Sequence, residues 1–308
     1  MQQNRNSIDW ALFAGLTALW ASAYAFTRLA VSHDDPALGF PPQFIIPMRI
    51  TAGALVLLIV VAISRQSWPP FSDWKSWVIM AAMGTLGTAA PFLLITTAQK
   101  TVDSSLAALY VSAAPLFTSV LAHMAFHDDY IDRRKALGLI IGFLGVAVLF
   151  GPEAIASFGS ASVVAQAMCL AATFFYASSS IIARYGRNIP PFVFSAGFLM
   201  FGSIATWPLL FFVDFETLTP STGAIAGLVG LALGPTAIAS VLYMLLIQRT
   251  SATFVSLTGY MIPILSAIIG YLAFRETQSW NAFLAFALIL GGVWLAQRQQ
   301  KAGLPPKV

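Results

Sequence analysis

Five apolar segments between Asp9 and Phe150 recur, in the same order, between Ala161 and Gln297, and each is long and apolar enough to cross a bilayer. Two correspondences are clearest. Trp20-Ala21-Ser22 followed by Arg28 returns as Tyr176-Ala177-Ser178 followed by Arg184. Ser104 through Pro115 to Phe126-His127-Asp128 returns as Ala252 through Pro263 to Phe274-Arg275-Glu276. Five is an odd number, so a unit used twice in one chain must enter the membrane from opposite sides. Two such units are related by a pseudo-two-fold axis in the membrane plane and leave a cavity between them, the logic of alternating access.

The expected fold is an all-α polytopic membrane protein with ten transmembrane helices, arranged as two inverted five-helix repeats around a central cavity. Apolar runs between polar breaks place helices near 9–31, 43–64, 74–98, 103–125 and 134–150, then near 161–184, 191–213, 221–247, 251–273 and 280–297. The repeats are residues 9–150 and 161–297, followed by a tail at 298–308. Composition agrees: hydrophobic residues make up 58% and charged residues 9%, with mean hydropathy +0.80. A soluble domain carries roughly 25% charged residues. The breaks carry turn chemistry, including His33-Asp34-Asp35-Pro36, Trp68-Pro69-Pro70 and Gly151-Pro152. Most connections are short, so consecutive helices are expected to pack as antiparallel neighbours.

The N-terminus imitates a signal peptide, with Arg5, apolar Trp10–Leu19 and the small residues Ala21-Ser22-Ala23. Apolar character continues past that site through Tyr24, Phe26 and Val31, and the Trp-Ala-Ser stretch recurs, so a retained first helix is expected. Lys and Arg in the loops set orientation. With the N-terminus inside, the cytoplasmic segments hold Arg5, Arg65, Lys75, Arg133, Arg134, Lys135, Arg184, Arg187, Arg249, Arg298, Lys301 and Lys307 of the 16 basic residues. Both termini and the 298–308 tail are therefore expected in the cytoplasm, with the protein in a bacterial inner membrane. The formal charge of +4 is spread among these loops rather than gathered on a face, which argues against nucleic acid as a partner. The single cysteine, Cys169, permits no internal disulfide.

Prolines fall at matching places: Pro91 and Pro235 in the third and eighth spans, Pro115 and Pro263 in the fourth and ninth. Each removes a backbone donor and is expected to bend its helix, shaping the cavity and permitting rocking, or else to mark a packing irregularity. Gly84, Gly87, Gly230 and Gly234 allow close helix approach, and Gly138, Gly142, Gly145, Gly291 and Gly292 read as plain packing.

Polar and aromatic side chains gather in the first, third, fourth, sixth, eighth and ninth spans. Trp20, Ser22, Tyr110, Tyr176, Tyr243 and Tyr260 are the candidates for cavity walls. Trp68, Trp74, Trp77 and Trp280 read as interfacial belt residues. Every Asp and Glu maps to a loop or helix end. An intramembrane carboxylate, the usual proton relay, is therefore missing, which argues towards facilitated diffusion or exchange. Arg49 is the one ionisable side chain clearly within a span. It is a candidate fixed cation for a carboxylate, or it snorkels outward or pins backbone carbonyls, and the last two readings weigh slightly more.

Enzyme chemistry finds little footing. His123 and His127 stand at helical spacing before Asp128 and Asp129, but His33, the only other histidine, falls on the opposite side. No metal site or bound cofactor is expected. No serine nucleophile motif has a histidine at its depth, and phosphate-binding glycine loops are missing.

The chain resembles the drug/metabolite transporter superfamily in its EamA-type ten-helix branch. The resemblance rests on Trp20-Ala21-Ser22, on Arg49 after Pro47, on Pro115 and Pro263 with their acidic ends, and on Gly145-Val146 and Gly292-Val293, and covers about residues 9–297. One departure is His127-Asp128 where the family usually carries a glutamate like Glu276. The resemblance implies a cofactor-free secondary transporter, closest to bacterial exporters of aromatic and other neutral amino acids, working as a monomer in contact with lipid and a small-molecule substrate. Efflux of other small metabolites or drugs is the first alternative. A non-transporting membrane scaffold or receptor is the second.

Overall fold

In a computed structural model the chain is described over residues 7–125, 131–150, 161–186, 188–249 and 258–297. His127, Asp128, the Gly151-Pro152 break, the first residues of the ninth expected span and the 298–308 tail lie outside the described residues. Among those described, the chain is helical with no strand. The long helical segments are α1 (Ser7–Val31), α2 (Pro42–Ser64), α3 (Trp74–Ala98), α4 (Ser104–Ala125), α5 (Arg133–Phe150), α6 (Ala161–Ala183), α7 (Pro191–Thr206), α8 (222–249), α9 (Thr258–Phe274) and α10 (Trp280–Gln297). Seven of them, counting the 3-10 turn that carries α7 on to Phe212, are long and apolar enough to cross a bilayer, for which about 20 residues are needed. α5 opens on Arg133, Arg134 and Lys135, while α9 and α10 are apolar but shorter over the described residues. The chain is an all-α, multi-pass membrane protein.

Local chemistry explains the helix starts. Asp73 accepts from Ser76 N at 3.4 Å before α3, Asp132 from Lys135 N at 2.7 Å before α5, and Ser221 from Ala224 N at 3.1 Å before α8. Each satisfies a backbone donor that the helix itself leaves free. Pro42 and Pro191 open α2 and α7, where a missing N–H costs nothing.

The four matched prolines behave differently. α3 carries a π-helical turn at Thr85–Ala89 just before Pro91, and α8 carries one at Ala232–Ile238 that includes Pro235. α4 is interrupted after Val111 and resumes at Ala114, just ahead of Pro115. Pro263 instead lies inside an unbroken helix.

Packing corrects one expectation. Among the described residues, none of the principal helix pairings joins consecutive spans. Instead α1 packs on α8 and α9, α2 on α7 and α8, α3 on α6 and α7, α4 on α6 and α9, and α5 on α10. A short loop fixes where two helix ends meet, but it does not make their flanks complementary. The flanks that fit belong to opposite halves. A Cβ on Gly84 of α3, for example, would lie 2.3 Å from Phe198 O and 2.6 Å from Gly202 N of α7, so the two backbones meet directly. Thr51 and Ser203 add a 2.7 Å hydroxyl pair between α2 and α7. Replacing each helix of the first half by its counterpart five places on maps this set of pairings onto itself. Each of the two largest apolar clusters also draws on both halves: Tyr110, Leu116 and Val146 with Cys169 and Ile289, and Ile45, Ile50 and Leu57 with Val193 and Leu231.

Of the tryptophans expected at the membrane interface, Trp74 and Trp280 are exposed, whereas Trp68 and Trp77 stack on each other at 5.9 Å.

Candidate functional site

Arg49 enters the bundle seven residues after Pro42, the first residue of α2, and is buried at 5% exposure. Its Nε donates to Thr236 Oγ1 at 3.1 Å, and its guanidinium carbon lies 3.9 Å from the centre of the Phe92 ring. Thr236 belongs to the π-helical turn of α8, and Phe92 follows the π-helical turn of α3. The cation therefore bridges the two irregular spans. π-helical turns recur at functional sites because they displace side chains from ordinary helical register. The phenols of Tyr24 on α1 and Tyr176 on α6 lie within electrostatic reach of the guanidinium. Among the described residues, Nε is the only guanidinium nitrogen with a hydrogen bond. No Asp or Glu occurs in α2, α3 or α8 to balance the charge.

The other expected site residues divide. Tyr176 shares the Arg49 neighbourhood. Trp20 and Tyr243 face each other with ring centres 5.6 Å apart and join α1 to α8. Leu16, Ala239 and Leu246 form an apolar cluster beside that pair. Tyr110 stands elsewhere: it is fully buried, donates through its hydroxyl to Gln166 Oε1, and accepts from Thr173 through its carbonyl at 3.2 Å. These bonds join α4 to α6. Ser22 donates to Leu19 O within its own helix at 2.8 Å. The side chain of Tyr260 lies outside the described residues, as does the partner histidine His127 of exposed His123.

Tyr24, Phe92 and Thr236 were not singled out as site residues from the sequence. Their signal was weak: a tyrosine, a phenylalanine and a threonine are ordinary in such spans. Only the matched Pro91 and Pro235 pointed to the turns that carry the last two.

A second polar cluster joins Arg28 and Glu276, both of which the sequence places at helix ends of the repeated motifs without pairing them. Arg28, in the last turn of α1, donates from Nη1 to Asp103 at 2.5 Å and to Glu276 at 2.9 Å, and from Nη2 to Asp34 at 3.0 Å. Glu276, between α9 and α10, is buried and caps α4 from across the chain. Its carboxylate accepts from the backbone N of Ser104 and Ser105, each at 3.1 Å, and from both serine hydroxyls. Gly270 makes room for it, since a Cβ there would lie 2.3 Å from Glu276 Oε2. Burial alone pushes the Glu276 carboxyl up, but hydrogen bonds from Ser105 and Ser104 outweigh it and hold the group below its ordinary value of 4.5. His33 joins the cluster, with Nδ1 2.7 Å from Gln99 O. At the opposite end of α1, Asp9 accepts from Arg249 at 2.8 Å.

The structure is thus a multi-pass helical bundle that holds a buried cation among hydroxyls and aromatic rings. Comparison with known proteins narrows the class. The EamA-like transporter family matches residues 8–151 and again residues 164–297, and the chain belongs to that family. It is 28% identical to "Uncharacterized transporter YdfC" of Bacillus subtilis, over 90% of this chain and 87% of that protein. It is 25% identical to the "Probable terminal-alkyne amino-acid exporter" of Streptantibioticus cattleyicolor, over 94% of this chain and 93% of that one. A solved crystal structure shares the fold with TM-score 0.64 at 20% identity, covering 95% of this chain and 98% of the other.

Proposed function

We propose that this protein is a secondary transporter exporting amino acids, aromatic and other neutral ones foremost, by alternating access between two inverted five-helix repeats. The observation that carries the reading is the buried Arg49 held between the irregular turns of α3 and α8. Broken or irregular helices are tolerated at membrane depth where they line a cavity, and transporter sites lie near the midplane on such helices. The repeats would be residues 9–150 and 161–297, and the symmetric pairing of helices from opposite halves supports that division. Amino acids are favoured because one relative carries "amino-acid exporter" in its name, and because rings and hydroxyls suit amphipathic solutes. Transport would proceed by uniport or exchange in the inner membrane of a bacterium, by a monomer with both termini in the cytoplasm.

Proteoliposomes containing the purified chain should release preloaded labelled tryptophan saturably and faster than protein-free vesicles. A reporter active only in the cytoplasm should work when fused after residue 308 and fail when fused after residue 150. No flux for any amino acid would overturn the amino-acid export reading, and equal reporter activity at the two positions would overturn the inverted repeat.

A further inference from the structure

A guanidinium offers five N–H donors in a rigid plane. For Arg49, Thr236 accounts for the one on Nε, and Phe92 covers one face of the plane. The terminal edge, with four N–H groups, has no hydrogen bond among the described residues. Taking such a charge out of water without a partner costs several kcal/mol, so a buried arginine ordinarily comes with a carboxylate. Here the described acids stand at helix ends or in loops: Asp9, Asp34, Asp35, Asp73, Asp103, Asp132, Asp214, Glu216 and Glu276. The edge left open is the one that binds a carboxylate through two parallel hydrogen bonds.

An ammonium group finds no such partner. No acid from α2, α3 or α8 faces the site to receive it, and Arg49 repels it. What remains is neutral: hydroxyl oxygens such as those of Thr236, Tyr24 and Tyr176, and ring faces, of which the Phe92 face already holds Arg49. We infer that Arg49 is the anchor for a carboxylate on the transported solute and that, among the described residues, no acidic side chain at the site pairs with an ammonium. The substrate class is then a monocarboxylate with an apolar or aromatic body, of which neutral amino acids are one subset. This deepens the transport reading and rests on it.

The test is a ligand panel on the purified full-length protein. 3-Indolepropionate, 3-phenylpropionate and 4-methylpentanoate carry the carboxylate without the amine; tryptamine, phenethylamine and isoamylamine carry the reverse. The acids are expected to raise the melting temperature and to compete for tryptophan release at concentrations comparable with tryptophan itself. The amines should be weaker by about tenfold or more, as loss of a bidentate charge-assisted pair implies. Arg49→Gln should weaken the acids by at least about tenfold and narrow the gap between acids and amines. If that variant does not fold, the panel on the unaltered protein decides alone. Amines that bind as well as acids, or a panel silent throughout, would overturn the inference. Acids that bind without amino-acid flux would refute the export reading and leave the anchor standing. Flux that is indifferent to the carboxylate would do the opposite.

Discussion

Glu276→Ala is expected to destabilise the protein by about 3–5 kcal/mol, the range for removing one partner of a buried ion pair. The side chain is 1% exposed and Arg28 is 9% exposed, so water cannot take the place of the missing carboxylate. The backbone N–H groups of Ser104 and Ser105 that open α4 lose their acceptor together, and the buried Arg28 guanidinium keeps only the partly exposed Asp103 and the exposed Asp34. Gln in place of Glu would not repair this. Its amide nitrogen would have to face donors, so Glu276→Gln should also melt well below the unaltered protein in detergent. Asp34 provides the contrast. It bonds to the same arginine but is 82% exposed, and exposed pairs are worth about 0–1 kcal/mol. Asp34→Asn should therefore melt close to the unaltered protein. Equal melting of the Glu276 and Asp34 variants would show that the cluster is ornament.

Acid supplies an independent check of the same group. The folded-state pKa of Glu276 is depressed below 4.5, so its unfolded form binds a proton more readily than its folded form. The stabilisation is complete above pH 4.5 and is lost as pH falls through the folded-state value. As pH falls from 4.5 through the folded-state value the unaltered protein should lose stability more steeply than Glu276→Gln, and the two melting curves should converge. A constant gap down the titration would mean that the carboxylate is not what holds α4.

Much of the architecture was legible in the sequence because hydrophobicity and helix length are local properties. Segments such as Thr222–Tyr243 announce themselves by composition. The partners of each helix were not legible. Ala and Gly recur along most spans, and nothing in α3 taken alone says that Gly84 will meet Gly202 rather than a residue of α2 or α4. The site divides in the same way. Arg49 stood out because a charge inside a span is rare, whereas Tyr110 attracted interest for its polarity and proved to be satisfied by Gln166. Glu276 was visible as an acidic helix end shared with the family and matched in the repeat, but with no partner. That it reaches back across the chain to cap α4 depends on a three-dimensional juxtaposition, with positive φ at Arg275 and a glycine at 270, that no spacing rule encodes.

The second large effect separates two adjacent glycines. A Cβ on Gly292 of α10 would lie 2.5 Å from both Gly138 O and Gly142 N of α5; one on Gly291 would meet nothing within 4 Å. Between helices in lipid, the attraction comes from packing rather than from exclusion of water, and small residues let backbones approach. Overpacking a core typically costs 1–3 kcal/mol where side chains can give way. At Gly292 the obstructing atoms are backbone, and the reciprocal contacts from Gly138 to Gly292 O and Ala296 N, both 2.6 Å, close the other side. The helices must separate along the length of their contact. Gly292→Val should therefore abolish the monodisperse peak in detergent chromatography, and Gly292→Ala should lower the melting temperature. Gly291→Ala, by contrast, should be neutral or stabilising, because alanine favours a helix over glycine by up to about 1 kcal/mol. Equal tolerance at the two positions would mean that α5 and α10 slide freely past each other. Intolerance at Gly292 alone would mark the contact of α5 with α10 as a close-packed seam between helices of opposite halves.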